Sequence, residues 1–259
     1  MRILSSILLL VILSFEMKAQ DISKFNDETF IYKGDTLPVR VLYPKNFDAT
    51  KKYPLVLFLH GRGESGNNNK SQLIHGSKLF LEKQDEFPAI VVFPQCSKDS
   101  YWANVNIVTD KEKGKRHFNF QQGGKPTKAM SLLLAYLKEL KKLAYLDEDR
   151  FYVGGLSMGG MGTYEMLRRQ PNTFAAAFAI CGGDHVKNVR KYAHKVNLWI
   201  FHGAKDDVVI PEFSLLIHEE LKRLGAKPKY TVYPDANHNS WDPAFKEPEV
   251  LPWLFSHKK

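Results

Sequence analysis

The segment from Phe151 to Gly162 restricts this chain more than any other stretch of its 259 residues. An apolar run of aromatic and β-branched residues leads into Gly155-Leu156-Ser157-Met158-Gly159, and helical spacing resumes through Tyr164, Met166 and Leu167. A serine caught between a buried strand and a helix must sit on a very tight turn, with strained backbone and its hydroxyl lifted above the sheet. Gly155 and Gly159 carry no Cβ to collide as the chain reverses. The same geometry turns the first amides of the following helix, and the positive end of its dipole, toward any negative charge that forms beside Ser157. A glycine-rich turn with an incidental serine would explain the pentapeptide alone, but not the strand and helix that flank it.

The remaining apolar runs set the fold class. Tyr53 to Leu59, Ala89 to Phe93, Phe174 to Ile180 and Asn197 to His202 are apolar without alternation, as strands covered on both faces should be. Helical spacing is expected from Gln72 to Lys83, from Thr127 to Leu143 with Thr127 as N-cap, from Glu212 to Leu224, and near Glu247 to His257. Thr29 to Tyr43 reads as an antiparallel hairpin at a sheet edge, Asp147 to Arg150 as a turn, and Lys229 to Tyr233 as a last strand. Strands alternating with helices give an α/β domain with a mostly parallel sheet, an antiparallel N-terminal edge and helices on both faces. Residues 95–126 read as one long polar loop holding Tyr101, Trp102, Phe118 and Phe120. It leaves the carboxyl end of a strand, where ligands bind in such sheets, so Trp102 is a candidate pocket wall or the centre of a small satellite core.

The first residues stand apart. Met1-Arg2 precedes an apolar run from Ile3 to Phe15 that is too short for a bilayer, which needs about 20 residues. With Ala19 as a small residue, residues 1–19 read as a secretory signal peptide cut after Ala19 or Gln20, leaving residues 20–259 as a single exported domain, periplasmic or secreted. No cysteine follows the run to carry a lipid anchor at that site, and no stable membrane insertion is expected once the leader is removed. The net charge of +9 falls by one when Arg2, Glu16 and Lys18 are removed, and the remaining lysines are scattered rather than gathered into a nucleic-acid motif. Two cysteines in an exported chain invite a disulfide, but two strands are expected between those preceding Cys96 and Cys181. Three strand spacings of about 4.7 Å exceed the roughly 7 Å limit between bridged Cα atoms, so both thiols should be free.

A serine hydroxyl is a poor nucleophile unless a base takes its proton and a third group holds the base. Of nine histidines, His238 is the strongest candidate, because it lies just after the last strand on the same sheet edge as Ser157. His60 and His202 precede glycines at strand ends and shape loops there, whereas His75, His117, His185, His194, His218 and His257 read as surface residues. The orienting acid should come between serine and histidine in the chain. Asp206 and Asp207 both qualify, with Asp184 and Asp235 weaker by position.

The strings LFLHGRGESG, FYVGGLSMGG, FHGAKDDVV and YPDANHNSW, in that order, resemble the α/β-hydrolase superfamily. More narrowly, they resemble its exported esterases and peptidases related to prolyl oligopeptidase, polyhydroxybutyrate depolymerase and feruloyl esterase. The resemblance runs from about Thr29 to the C-terminus. It implies Ser157 as nucleophile, Asp206 as the acid of a His-Gly-x-x-Asp motif, His238 as base, and an oxyanion hole from the main-chain amides of Met158 and Arg62. Asp207 departs from the pattern, since relatives often carry proline there. The chemistry implied is acyl transfer through an acyl-enzyme, with no metal or other cofactor; no zinc-spaced ligand cluster or phosphate loop is present in the sequence.

Peptidases of the prolyl-oligopeptidase type carry an additional propeller domain for which this sequence has no residues, so ester hydrolysis comes first and peptidase second. Trp102 and Trp241 near the site suggest feruloyl or acetyl esters of plant polysaccharides. A non-catalytic binding module is the reading of another class. Such proteins usually lack a member of the triad, and all three are present here.

Overall fold

The computed structural model describes residues 21–112 and 114–259, so the apolar leader read at residues 1–19 lies outside the described residues. Among the described residues no helix is long and apolar enough to cross a membrane.

The hairpin comes first: β1 (Phe25–Tyr32) and β2 (Asp35–Leu42) pair antiparallel. Lys33 and Gly34 between them have φ of 53° and 85°, the left-handed pair that a two-residue turn of matching twist requires. Pro38 lies in β2, one strand in from the edge, where its carbonyl still accepts from the Gln95 N–H. In β3 (Tyr53–Leu59) every residue is buried, with Leu55, Leu57 and Leu59 facing one half of the core and Val56 and Phe58 the other.

Several elements depart from the sequence pattern. The helix expected from Gln72 begins later, as α1 (Ser77–Lys83), because Gly76 turns left-handed at φ 82° and Ser71–Leu73 closes a separate 3-10 turn. After β4 (Ile90–Pro94), the supposed loop at 95–126 contains an antiparallel ribbon of β5 (Val105–Thr109) and β6 (Arg116–Phe120). One side of that ribbon, with Val105, Ile107, Phe118 and Phe120, packs with Met161 and Val209, and this burial orders the segment. The helix α2 (Lys128–Leu140) follows as expected, with Thr127 Oγ1 accepting from Met130 N at 3.1 Å. The strand β7 (Leu146–Leu156) starts before Phe151: Asp147 to Arg150 are extended, and an irregular register between Tyr53 and Leu55 of β3 accommodates them.

The elbow helix α3 (Met158–Arg169), β8 (Ala176–Ile180), β9 (Asn197–Gly203), α4 (Glu212–Arg223) and β10 (Lys229–Tyr233) complete the alternation. The helix expected near Glu247 to His257 is α6 (Val250–Phe255), and a short helix α5 (Trp241–Ala244) that was not expected precedes it.

These strands form an eight-stranded sheet in the order β1-β2-β4-β3-β7-β8-β9-β10. The strand β2 is antiparallel to both neighbours, and each pair from β4 to β10 is parallel. Met130, Leu133 and Leu137 of α2, Tyr164 of α3 and Ile217 of α4 cover one face, while Phe80 of α1 and Leu251 and Leu254 of α6 cover the other. The carboxyl ends of β3, β7, β8, β9 and β10 therefore share one edge. Cys96 and Cys181, beyond β4 and β8 with β3 and β7 between them, are both free and buried.

Candidate active site

Ser157 joins β7 to α3 with φ 53° and ψ −117°, a strained conformation for a residue with a side chain. Its amide is held by Ile180 O of the neighbouring strand at 2.8 Å. Gly159 explains why the turn tolerates nothing larger: a Cβ there would stand 1.9 Å from Leu59 O. The serine thus presents its hydroxyl where the first amides of α3, which have no intrahelical acceptor, also point.

His238 reaches it from the loop after β10. That loop is stitched to the end of β9, where Ala204 N donates to Tyr233 O at 2.9 Å and Lys205 N to Ala236 O at 3.0 Å. The result is a 2.8 Å contact between Ser157 Oγ and His238 Nε2, and a second of 2.8 Å between His238 Nδ1 and Asp206 Oδ2. Nδ1 faces a carboxylate and so carries a proton, which leaves Nε2 of the neutral ring free to accept from the serine.

Asp206 is buried and Asp207 is exposed. The other Asp206 oxygen, Oδ1, accepts from Val208 N and Val209 N at 3.0 Å each. His202, fully buried at the end of β9, brings Nε2 to 3.2 Å from Asp206 Oδ2 and 2.7 Å from Val209 O. Burial works against charge on Asp206, but the hydrogen bonds from His202 and His238 outweigh it and hold the carboxyl far below the ordinary aspartate range. The spacing of His202, four residues before Asp206, was visible in the sequence, but its second contact to the acid was not.

His60 is a loop organiser. Its Nδ1 donates to Gly61 O at 2.6 Å and its Nε2 accepts from Cys96 N at 2.9 Å, and burial lowers its pKa to about 4. Met158 opens α3 beside the serine, and Arg62 lies in the 3-10 turn Arg62–Glu64 after β3. Trp241 stands edge-on to His238, with ring centres 5.5 Å apart. Trp102 is fully buried in the core, its ring 5.5 Å from that of His60, so it supports the loops from beneath instead of walling a pocket. His75, read as a surface residue, is half-buried against Trp241 at 5.3 Å.

Residues 47–247 match the Phospholipase/Carboxylesterase family. The chain belongs to that family. Its architecture is that of the α/β-hydrolase fold, and a crystal structure of a thermostable esterase superimposes with a TM-score of 0.80 and 32% identity, covering 92% of this chain and 64% of the other. Among curated relatives, a bifunctional acetylxylan esterase/xylanase of Neocallimastix patriciarum is 29% identical over 177 residues, 68% of this chain and 22% of that protein. A dipeptidyl-peptidase 5 of Porphyromonas gingivalis is 24% identical over 241 residues, 79% of this chain and 33% of that protein. The chain spans about a fifth to a third of these curated relatives.

The other aspartates weighed for the acid lie apart from His238 in this member of the family. Asp235 is exposed and paired with Lys205 at 2.8 Å. Asp184, beyond β8, is buried; its Oδ1 accepts from His185 N at 2.7 Å and Asn188 Nδ2 at 2.8 Å, and burial pushes its pKa up to about 7. An aspartate protonated when folded and ionised when unfolded makes stability fall as pH rises from about 4 to about 7, by up to about 1.4 kcal/mol per pH unit. Asp184→Asn should flatten that slope in urea titrations at several pH values while the wild type keeps it.

Cys181, Asp206 and His238 bring a sulfur, a carboxylate oxygen and a ring nitrogen within 4.8 Å of one another. A cation bound there would have to displace the contact between Asp206 and His238, and take a proton from a thiol whose pKa burial pushes far up. The arrangement instead suits proton transfer from a serine hydroxyl.

Proposed function

We propose that this chain is an exported serine hydrolase of esterase type, with Ser157 as nucleophile, His238 as general base and Asp206 as the acid that orients it. The observation that carries this reading is the unbroken run of contacts from Ser157 Oγ through His238 to Asp206, each 2.8 Å. His238 Nε2 takes the hydroxyl proton as Oγ attacks the ester carbonyl, and the imidazolium is stabilised by Asp206. The amides of Met158 and Arg62 receive the oxyanion. Its collapse expels the alcohol, which takes the proton from His238, and water then repeats the sequence on the acyl-enzyme.

Feruloyl or acetyl esters of plant polysaccharides are the proposed substrates. The acetylxylan esterase relative supports the acetyl group, and Trp241 beside His238 offers an aromatic surface to an aryl one. Hydrolysis of acetylated xylan, methyl ferulate and p-nitrophenyl butyrate by the protein without residues 1–19 tests this. Preference for either of the first two is expected; turnover of the aliphatic ester alone would remove the polysaccharide reading while keeping the esterase.

Peptide hydrolysis is the second reading, favoured by the dipeptidyl-peptidase match over 79% of the chain. Cleavage of dipeptidyl nitroanilides faster than of any ester would put it first.

A further inference from the structure

The loop between β3 and the 3-10 turn is fastened at both ends by groups unrelated to chemistry. At one end His60 Nε2 accepts from Cys96 N at 2.9 Å. At the other, Gln95 Nε2 donates to Glu64 O at 3.0 Å and Gly66 N to Cys96 O at 2.9 Å. Between these anchors lie Gly61, Arg62 and Gly63. A Cβ on Gly61 would come within 2.8 Å of Leu156 Cδ1, so this residue fits closely against the strand that carries Ser157, whereas Gly63 has open space around it. The middle of the loop has one side chain with which to hold itself, that of Arg62.

That side chain is engaged although the residue is exposed. Nη1 donates to Ser100 O at 2.8 Å and Nη2 to Lys98 O at 2.6 Å, and the guanidinium lies 5.8 Å from the ring centre of Tyr101. The segment that carries these acceptors is fixed to a rigid element through Ser100 and the neighbouring Tyr101. Ser100 Oγ accepts from Ala129 N at 2.9 Å and Tyr101 O from Thr127 Oγ1 at 2.6 Å, both at the start of α2. A planar fork that spans two carbonyls sets orientation as well as distance, which a single ammonium cannot do.

We propose that the Arg62 side chain is a positioning residue: by clamping the carbonyls of Lys98 and Ser100 it holds its own main-chain N–H at the oxyanion site. This rests on the serine-hydrolase reading above. An oxyanion donor is effective only when it is already aimed before charge develops. Loss of the clamp should therefore lower kcat and leave KM nearly unchanged, because a ground-state carbonyl calls on the donor less than the oxyanion does.

The test measures kcat and KM on p-nitrophenyl butyrate for wild type, Arg62→Ala and Arg62→Lys, with circular dichroism and Tm for each. It also measures the rate at which an alkyl fluorophosphonate labels Ser157. Arg62→Ala should lose about 10- to 100-fold in kcat and labelling rate, below the full loss of a donor, with KM within about twofold. Arg62→Lys should fall between alanine and wild type, and it decides the matter should the alanine variant not fold. Wild-type rates in the folded variants overturn the proposal. So does a loss confined to KM, which would make the guanidinium a substrate contact. Wild type that is neither labelled nor active overturns both this and the serine-hydrolase reading on which it rests, whereas labelled wild type with equally labelled variants overturns the clamp alone.

Discussion

Ser157→Ala is expected to lower turnover of p-nitrophenyl acetate by on the order of 10⁶, with the fold intact by circular dichroism. Alanine removes the atom that attacks and the hydroxyl that His238 Nε2 meets at 2.8 Å, while the amides around the turn stay in place. The residual rate over water would come from those donors and from substrate binding. His238→Ala should cost a similar factor, because a serine without its base keeps its proton, and the double variant should be no worse than either single one. Non-additivity is the informative part of the result. Two residues acting independently would multiply their losses, whereas a nucleophile and its base fail together. A Ser157→Ala protein that kept its rate would remove the nucleophile from the proposal.

Much of this arrangement was legible because its signals are local. The apolar runs gave the strands, and α/β alternation with the Gly-x-Ser-x-Gly turn led to the fold that the family match and the esterase structure bear out. Ser157 and His238 were picked out by position at strand ends, whereas position left Asp206 and Asp207 both open and only the resemblance to the family singled out Asp206; in the structure the side chains of Ser157, His238 and Asp206 stand in one hydrogen-bonded row. What stayed hidden depended on distant partners. Arg62 meets carbonyls 36 and 38 residues away, an interaction without sequence period. Trp102 was a candidate pocket wall or satellite-core residue because its loop leaves the carboxyl end of a strand, but the chain doubles back into the main core and packs its indole on Gly162 of the elbow helix, whose missing side chain leaves the room. The ribbon at β5 and β6 did carry a readable signal, Phe118-x-Phe120 opposite Val105-x-Ile107, masked by the charged residues at its tip. Asp147 to Arg150 were charged enough to pass for a turn, but they lie along an extended strand in which Glu148 is exposed and Asp147, Asp149 and Arg150 are only partly so.

Asp206→Asn is expected to cost about 10⁴ in kcat, and Asp207→Asn less than twofold. The reason lies in where the new amide would have to point. Val208 N and Val209 N both donate to Oδ1, so the asparagine oxygen is drawn there and its NH2 takes the place of Oδ2. At that position it meets His238 Nδ1 at 2.8 Å and His202 Nε2 at 3.2 Å, two nitrogens that previously faced an acceptor. His238 can relieve the clash by moving its proton from Nδ1 to Nε2, but the ring then presents a donor to Ser157 and no longer accepts its proton. His202 cannot turn away so easily, since Nδ1 is engaged with Ser214 Oγ at 2.7 Å. Stability should therefore fall together with activity. The wild-type carboxylate has its pKa held down in the folded state, so its contribution is present above the unfolded value of about 3.9 and is lost as pH falls below it. Tm compared at neutral pH and at acid pH should show the gap between wild type and Asp206→Asn narrowing as the medium is acidified. A gap that stayed constant with pH, or an Asp206→Asn enzyme as active as wild type, would mean that His238 is oriented by its loop alone and that the buried carboxylate serves only the packing of His202.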